Sequence, residues 1–296
     1  MRRYPAPVPA QRTVIITGAN SGIGLETAVA LATRGDRVVL ACRNPSKAAA
    51  AVSAVVERSG SDAVELLSLD LASFGSIRAA AAEVSRRWPV VDVLVDNAGL
   101  MVSDWSPTLE GFETTFGVNH LGHFLFTNLL EPQVRAAAEP RVIVLSSTMH
   151  RSAVRGLHWD DLDSRRRFNG WLAYGRSKLA NLMFSNELAR RWPEVTVNAV
   201  HPGSVGTNFG REGDTTGVSA RLLGWSGLVS ISAADGARTS VHLATTPVDA
   251  IGSGGYWQKS RLARPSSAAR RPADDRRLWE VSEQLIGSVA DSTTGN

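Results

Sequence analysis

A chain of 296 residues, 43% of them hydrophobic, has enough apolar material for a sizeable core in one large domain or two small ones, which excludes disorder of the whole chain. The balance of 32 basic against 28 acidic residues leaves a net charge of +4, a small excess that speaks against a nucleic-acid partner. The single cysteine, Cys42, excludes an internal disulfide and a cysteine-based zinc cluster, and no stretch approaches the roughly 20 apolar residues of a membrane helix, so the expectation is a soluble, cytoplasmic protein without an integral membrane segment.

In chain order, residues 1–12, "MRRYPAPVPAQR", form a loose leader whose prolines arrive before any apolar signal segment could. From residue 13, short β-branched runs alternate with longer helical stretches. The runs are 13–17, 37–42, 64–70, 91–96, 141–147 and 195–200, each nearly continuous in apolar residues, as strands buried on both faces are. Between them, Ala-rich and Leu-rich segments such as 45–60 and 76–88 are long enough for helical crossovers. The pattern predicts an α/β fold: a doubly wound parallel sheet with helices on both faces, as a single domain over 13–260, on which the loop and helix of 261–296 pack. Ligands of such sheets bind beyond the carboxyl ends of the strands.

Two regions break the rhythm. Residues 148–170 make a long polar connection after the fifth strand, and residues 203–230, with seven glycines, suggest a mobile flap. The arginine-rich stretch from Arg261 to Arg277 is interleaved with Asp274 and Asp275, which reads as a solvated loop leading into a helix.

"TGANSGIG" joins the first strand to the first helix, so Gly18, Gly22 and Gly24 stand where backbone N–H groups can meet a pyrophosphate. Asn20, Ser21 and Ile23 fill the rest of this turn. The spacing G-x-x-x-G-x-G differs from the usual G-x-G-x-x-G of a Rossmann-type dinucleotide site. Glycine spacing alone fits any tight strand-to-helix turn; the position of this one favours the dinucleotide. Arg43 ends the second strand, nineteen residues after Gly24, where an NAD site places an acid. A guanidinium there can pair with a 2′-phosphate, which favours NADP(H) over NAD(H); the plainer reading is a cation solvating a strand end.

Tyr174 and Lys178 are spaced i, i+4 in a segment of strong helix character, so they share a helix face. A tyrosine's ordinary pKa near 10 is too high for proton exchange at neutrality, and a fixed ammonium beside it favours the phenolate. Such a pair suits general acid–base catalysis, although Tyr-x-x-x-Lys also arises in helices of purely structural role.

The glycine turn, "DNAG" (96–99), "VNH" around Asn119, "VLSS" (144–147), "YGRSK" (174–178) and "HPGSVGT" (201–207) occur in one order along nearly the whole chain. Together they resemble the classical short-chain dehydrogenase/reductases. "ACRNPSKA", "GVNHLGHFLFTNLL", "AYGRSKLANLMFSNELARR" and "RRLWEVSEQLIG" are most similar to the retinol-dehydrogenase-like branch. The resemblance implies an oxidoreductase interconverting an alcohol and a carbonyl on an apolar small molecule. It assigns Tyr174 as proton donor and acceptor, Lys178 as the group that holds the nicotinamide ribose and depresses the tyrosine pKa, Ser147 as a second donor to the substrate oxygen, and Asn119 as holder of a water. It also places Asp70 and Leu71 at the adenine, Asn97, Ala98 and Gly99 beside the cofactor, and Pro202, Gly203 and Thr207 at the nicotinamide carboxamide. A homodimer through the helix carrying Tyr174 is allowed.

Asp96 departs from the family's usual "NNAG", and a buried acid there must find a donor or stay protonated. Other readings are a serine hydrolase built on Ser147 and His150, which lacks a G-x-S-x-G elbow; a metal site at His120 and His123, which lacks a third ligand; and a non-catalytic NADP-binding sensor or scaffold. Trp159, Phe168, Trp171, Phe209, Leu222, Leu223 and Trp225 are candidates for an apolar pocket or for ordinary packing.

Overall fold

Strands β1 (Thr13–Thr17), β2 (Arg37–Cys42), β3 (Val64–Ser68), β4 (Val93–Asp96), β5 (Arg141–Leu145) and β6 (Thr196–His201) form where the apolar runs predict them. The computed structural model, which describes residues 11–203 and 231–293, adds β7 (Gly255–Gln258) and β8 (Arg261–Leu262). These two were not expected: β7 is four residues long and begins on a glycine, so no apolar run announces it. Gly255 is required there, because a Cβ would stand 2.6 Å from Trp257 Nε1 and 2.8 Å from Asn198 Oδ1.

The sheet order is β3-β2-β1-β4-β5-β6-β7-β8, parallel through β7, with β8 folded back antiparallel. The chain winds outward from β1 to β3 and then returns to build β4 to β7 on the other side. A cleft therefore opens beyond the carboxyl ends of β1 and β4.

Helices α1 (Gly22–Thr33), α2 (Pro45–Ser59) and α8 (Ala233–Thr245) cover one face of the sheet; α3 (Phe74–Arg87), α5 (His123–Leu129), α7 (Gly170–Arg191) and α10 (Pro272–Thr293) cover the other. Short helices α4 (Thr114–Phe116), α6 (Glu131–Arg135) and α9 (Val248–Ile251) complete the described set, and a π-helical turn, Gly117–Gly122, joins α4 to α5. Along β1, Val14 and Ile16 enter the first layer and Ile15 the second, all fully buried, which is why the strand reads as continuously apolar.

Local chemistry sets the helix starts. Asn44, Ser73, Asn169 and Ser232 each accept a backbone N–H from the first turn of the helix they precede. Helix α2 begins on Pro45 and ends at Gly60, whose φ of 71° is the left-handed cap that stops it.

Helix α10 lies on α7. Trp279 stacks on Phe184 at 5.9 Å and meets Phe124 edge-on at 4.8 Å, while Asp275 pairs with Arg190 at 2.7 Å. An interface between two copies through this part of α7 would have to displace α10. The far end of the sheet is tied by Arg12, which pairs with both oxygens of Asp36 and donates to Ala244 O at 2.9 Å. No described helix is long and apolar enough to cross a membrane. The expected flap at 203–230 lies outside the described residues except for Gly203.

Candidate active site

The glycine turn and the loop after β4 form one hydrogen-bonded unit at the cleft. Thr17 Oγ1 accepts from the backbone N–H groups of Asn97 and Ala98, both at 2.9 Å, and Asn97 Nδ2 donates to Thr17 O at 2.7 Å. Gly18, with φ of 64°, packs so closely that a Cβ would stand 2.9 Å from Ala98 Cβ. At Gly24 the constraint lies underneath: a Cβ there would come 2.5 Å from Asn97 Nδ2 and 2.7 Å from Gly18 O, so this glycine makes room beneath the turn.

Ser21 precedes α1 without a side-chain cap, and the first turn has no acid. The N–H groups of α1 thus meet the turn uncompensated, which suits a phosphate. Asn20, Ile23 and Ala98 are half-buried around this cradle, while Ser21 and Gly99 are exposed. Arg43 is exposed just past β2, and Gly18 N–H donates to Ala41 O at 2.8 Å, which sets the end of β2 against the turn. After β3, Asp70 Oδ1 accepts Ala72 N–H at 3.0 Å and Leu71 is buried, with Gly122 wedged against its carbonyl. Pro202 and Gly203 follow β6, Gly203 with φ of 103°; Thr207 lies outside the described residues.

Ser147 leaves β5 and begins a 3-10 turn, Thr148–Ser152, in which its Oγ accepts Met149 N–H at 3.2 Å. The same hydroxyl is hydrogen-bonded to the Tyr174 side chain. Gly175 makes this meeting possible: a Cβ there would overlap Ser152 Oγ and stand 2.7 Å from Met149 O, so α7 can lie flush against the turn only with glycine beside Tyr174. Lys178, one helical turn on, donates from Nζ to Leu145 O at 3.1 Å and lies 5.7 Å from the Tyr174 ring centre. Ser146 Oγ returns a bond to Lys178 O at 2.8 Å.

Asn119 sits in the π-helical turn and acts as a clamp. Its Oδ1 accepts Leu100 N–H at 2.8 Å, and its Nδ2 donates to Leu100 O and to Ser177 Oγ, both at 2.9 Å. Ser177 Oγ in turn donates to Tyr174 O at 2.8 Å. Both amide hydrogens and one lone pair of Asn119 are therefore committed to protein. Gly99 lies close against the same pair: a Cβ there would stand 3.0 Å from Lys178 Nζ and 3.5 Å from Asn119 Oδ1.

The electrostatics differ from the sequence expectation. Burial pushes the Tyr174 phenol up to about 12, with the Ser147 bond opposing it, and pushes Lys178 down to about 8. Desolvation, not the lysine charge, dominates the tyrosine in this structure, so Tyr174 holds its proton firmly and Lys178 is the group poised near neutrality.

Asp96 ends β4 fully buried. Thr127 Oγ1 donates to its Oδ2 at 2.8 Å, Oδ1 has no partner among the described residues, and burial raises its pKa to about 7. His120 and His123 diverge: His120 Nε2 meets Ser282 Oγ at 2.8 Å, whereas His123 contacts Thr17 Oγ1 at 2.9 Å and Asn119 O at 3.0 Å. Burial drives both neutral. No group of metal-binding residues occurs among the described residues. Sequence reasoning missed the structural part played by His150, which contacts Ser147 O and whose only signal was its position after "SS"; His201, expected from its place before Pro202 to shape the loop, accepts Thr148 N–H. Of the candidate pocket residues, Trp159 lies beneath Arg277, Phe168 is half-buried and Trp171 is 40% exposed; Phe209, Leu222, Leu223 and Trp225 lie outside the described residues.

Residues 12–159 match the short chain dehydrogenase family. Human retinol dehydrogenase 13 is 42% identical over 290 residues, covering 95% of this chain and 86% of its own, and human retinol dehydrogenase 14 is 37% identical over 294 residues, covering 93% and 86%. Among solved structures, an uncharacterized protein from Mycobacterium paratuberculosis superposes with a TM-score of 0.75 at 35% identity, with 94% of each chain covered. On these matches the chain belongs to the short-chain dehydrogenase/reductase family, in its retinol-dehydrogenase-like branch.

Proposed function

We propose that the protein is an NADP(H)-dependent oxidoreductase that interconverts an alcohol and a carbonyl on an apolar small molecule. The observation that carries this reading is the hydrogen bond between Ser147 and Tyr174, with Lys178 one helical turn away, beside a glycine turn suited to a pyrophosphate. When bound, a reduced nicotinamide supplies the hydride. Tyr174 gives its proton to the substrate oxygen as charge builds there, and Ser147 donates a second hydrogen bond to the same oxygen. The Lys178 ammonium stabilises the phenolate left behind, and the route past Gly99 to Asn119 returns a proton from solvent. Gly18, Asn20, Ser21, Gly22, Ile23 and Gly24 would hold the pyrophosphate, Asn97, Ala98 and Gly99 would stand beside the cofactor, Asp70 and Leu71 would meet the adenine, and Pro202, Gly203 and Thr207 the nicotinamide.

The names of the relatives support a retinoid-like alcohol as substrate class. Exposed Arg43 supports NADP(H), because its guanidinium has no competing acid at the strand end. The test is Tyr174→Phe, followed by NADPH absorbance with nonanal and all-trans-retinal. Loss of turnover with retained NADPH binding is expected; unchanged turnover overturns the tyrosine's role, and wild-type protein that binds NADPH but turns over nothing favours the sensor reading. A kcat/KM ratio favouring NADH over NADPH would refute the cofactor assignment.

A further inference from the structure

His150 lies three residues after Ser147, fully buried, in the 3-10 turn that follows β5. Its two ring nitrogens face partners that leave no choice of tautomer. Nδ1 stands 2.6 Å from Ser147 O, a group that can only accept, while Ser266 N–H, which can only donate, points at Nε2 from 3.1 Å. The ring is thus neutral, with its proton on Nδ1. Tyr256 closes over it edge-on, with ring centres 5.4 Å apart.

The partner on the far side is itself anchored. Arg151 Nη2 donates to Arg264 O at 2.7 Å, Ala263 N–H donates to Tyr256 O at 2.8 Å, and Asn186 of α7 donates to Ala269 O at 3.0 Å. Residues 263–269 are therefore fixed to β7 and α7. A rigid segment is joined through one imidazole to the carbonyl of Ser147. Its neighbour Thr148 is held from the other side by His201, whose Nδ1 accepts Thr148 N–H at 3.3 Å.

We propose that His150 is a positioning residue for the alcohol–carbonyl reaction: by bridging Ser147 O to Ser266 N–H it fixes the backbone from which Ser147 aims its hydroxyl at Tyr174. This inference rests on the assignment of Ser147 above. A side chain acting only through Ser147 has a distinctive kinetic signature, since its loss counts for little once the serine hydroxyl is gone.

The experiment compares His150→Leu, His150→Asn, Ser147→Ala and the Ser147→Ala/His150→Leu double variant, with NADPH and either nonanal or all-trans-retinal. His150→Leu is expected to lower kcat about 10- to 100-fold, the scale of a small misplacement of a catalytic group, with the Kd for NADPH within about threefold. His150→Asn, which keeps a donor near Ser147 O, recovers part of that loss. Adding His150→Leu to Ser147→Ala costs less than about threefold further. Wild-type kcat in His150→Leu overturns the proposal, as does a full multiplicative loss in the double variant. If His150→Leu fails to fold, His150→Asn is set against His150→Gln, whose longer amide reaches toward Ser266; equal kcat in these two overturns it. Unchanged kcat in Ser147→Ala overturns the reading of the serine itself, whereas loss in Ser147→Ala with none in His150→Leu overturns only the role of His150.

Discussion

Replacing Asp96 by Asn should stabilise the protein at alkaline pH and hardly at all in mild acid. The carboxyl is fully buried, one oxygen accepts from Thr127 and the other has no partner among the described residues. His123, which reaches the adjacent strand end through Thr17, is driven neutral by burial and brings no positive charge. With a pKa raised from 3.8 to about 7, the folded state binds a proton that the unfolded chain has released throughout that window. Stability therefore falls as pH rises from about 4 to about 7 and stays low above it. At about 1.4 kcal/mol per pH unit, the gap sets a ceiling of about 4 kcal/mol, and relaxation around a buried carboxylate reduces this to about 2–4 kcal/mol. An amide of the same shape keeps an acceptor for Thr127 and never ionises. Thermal melts at pH 4 and pH 8 should show Asp96→Asn gaining roughly 2 °C per kcal/mol, about 4–8 °C, at pH 8 and little at pH 4, with a partial gain between them. Parallel pH profiles for the two proteins, or a less stable variant at pH 8, would refute the reasoning.

Two further expectations follow from the same geometry. Gly175→Ala should lower kcat at least about tenfold by pushing the 3-10 turn from α7 and parting Ser147 from Tyr174, with NADPH affinity little changed; an unaltered kcat together with a higher Tm would show the turn adapting freely. With Lys178 lowered to about 8, kcat/KM for carbonyl reduction should decline above about pH 8 as its ammonium is lost, and a profile flat to pH 10 would deny the lysine its electrostatic part.

The sheet was legible because β1, β2, β4 and β5 are buried on both faces and so appear as unbroken apolar runs, and the glycine turn was legible because only glycine fits against Ala98. Strand β7 was not, since a short segment gains its strand character from pairing with β6 and not from its own composition. The i, i+4 spacing showed that Lys178 shares a face with Tyr174, but the direction of the tyrosine's pKa depends on desolvation, which a linear spacing does not contain. His150 was visible beside Ser147, yet its second partner lies 116 residues away, at Ser266. Gly24 was placed with the cofactor by its motif; that it also lies against Asn97, where a Cβ would stand 2.5 Å away, depends on a fold contact the motif does not contain.

The π-helical turn at Gly117–Gly122 makes counting as important as chemistry in this stretch. A π turn holds one residue more than an α turn, so everything beyond it is rotated by about 100° relative to an unbroken helix. That offset lets Asn119 grip Leu100, His120 reach Ser282 and His123 reach back to Thr17, three directions from five consecutive positions. Deleting a single residue here would leave every motif letter in place and still disconnect the helix from the glycine turn. In proteins built on this plan, a one-residue gap between 117 and 122 would mark a rewired site more surely than many substitutions.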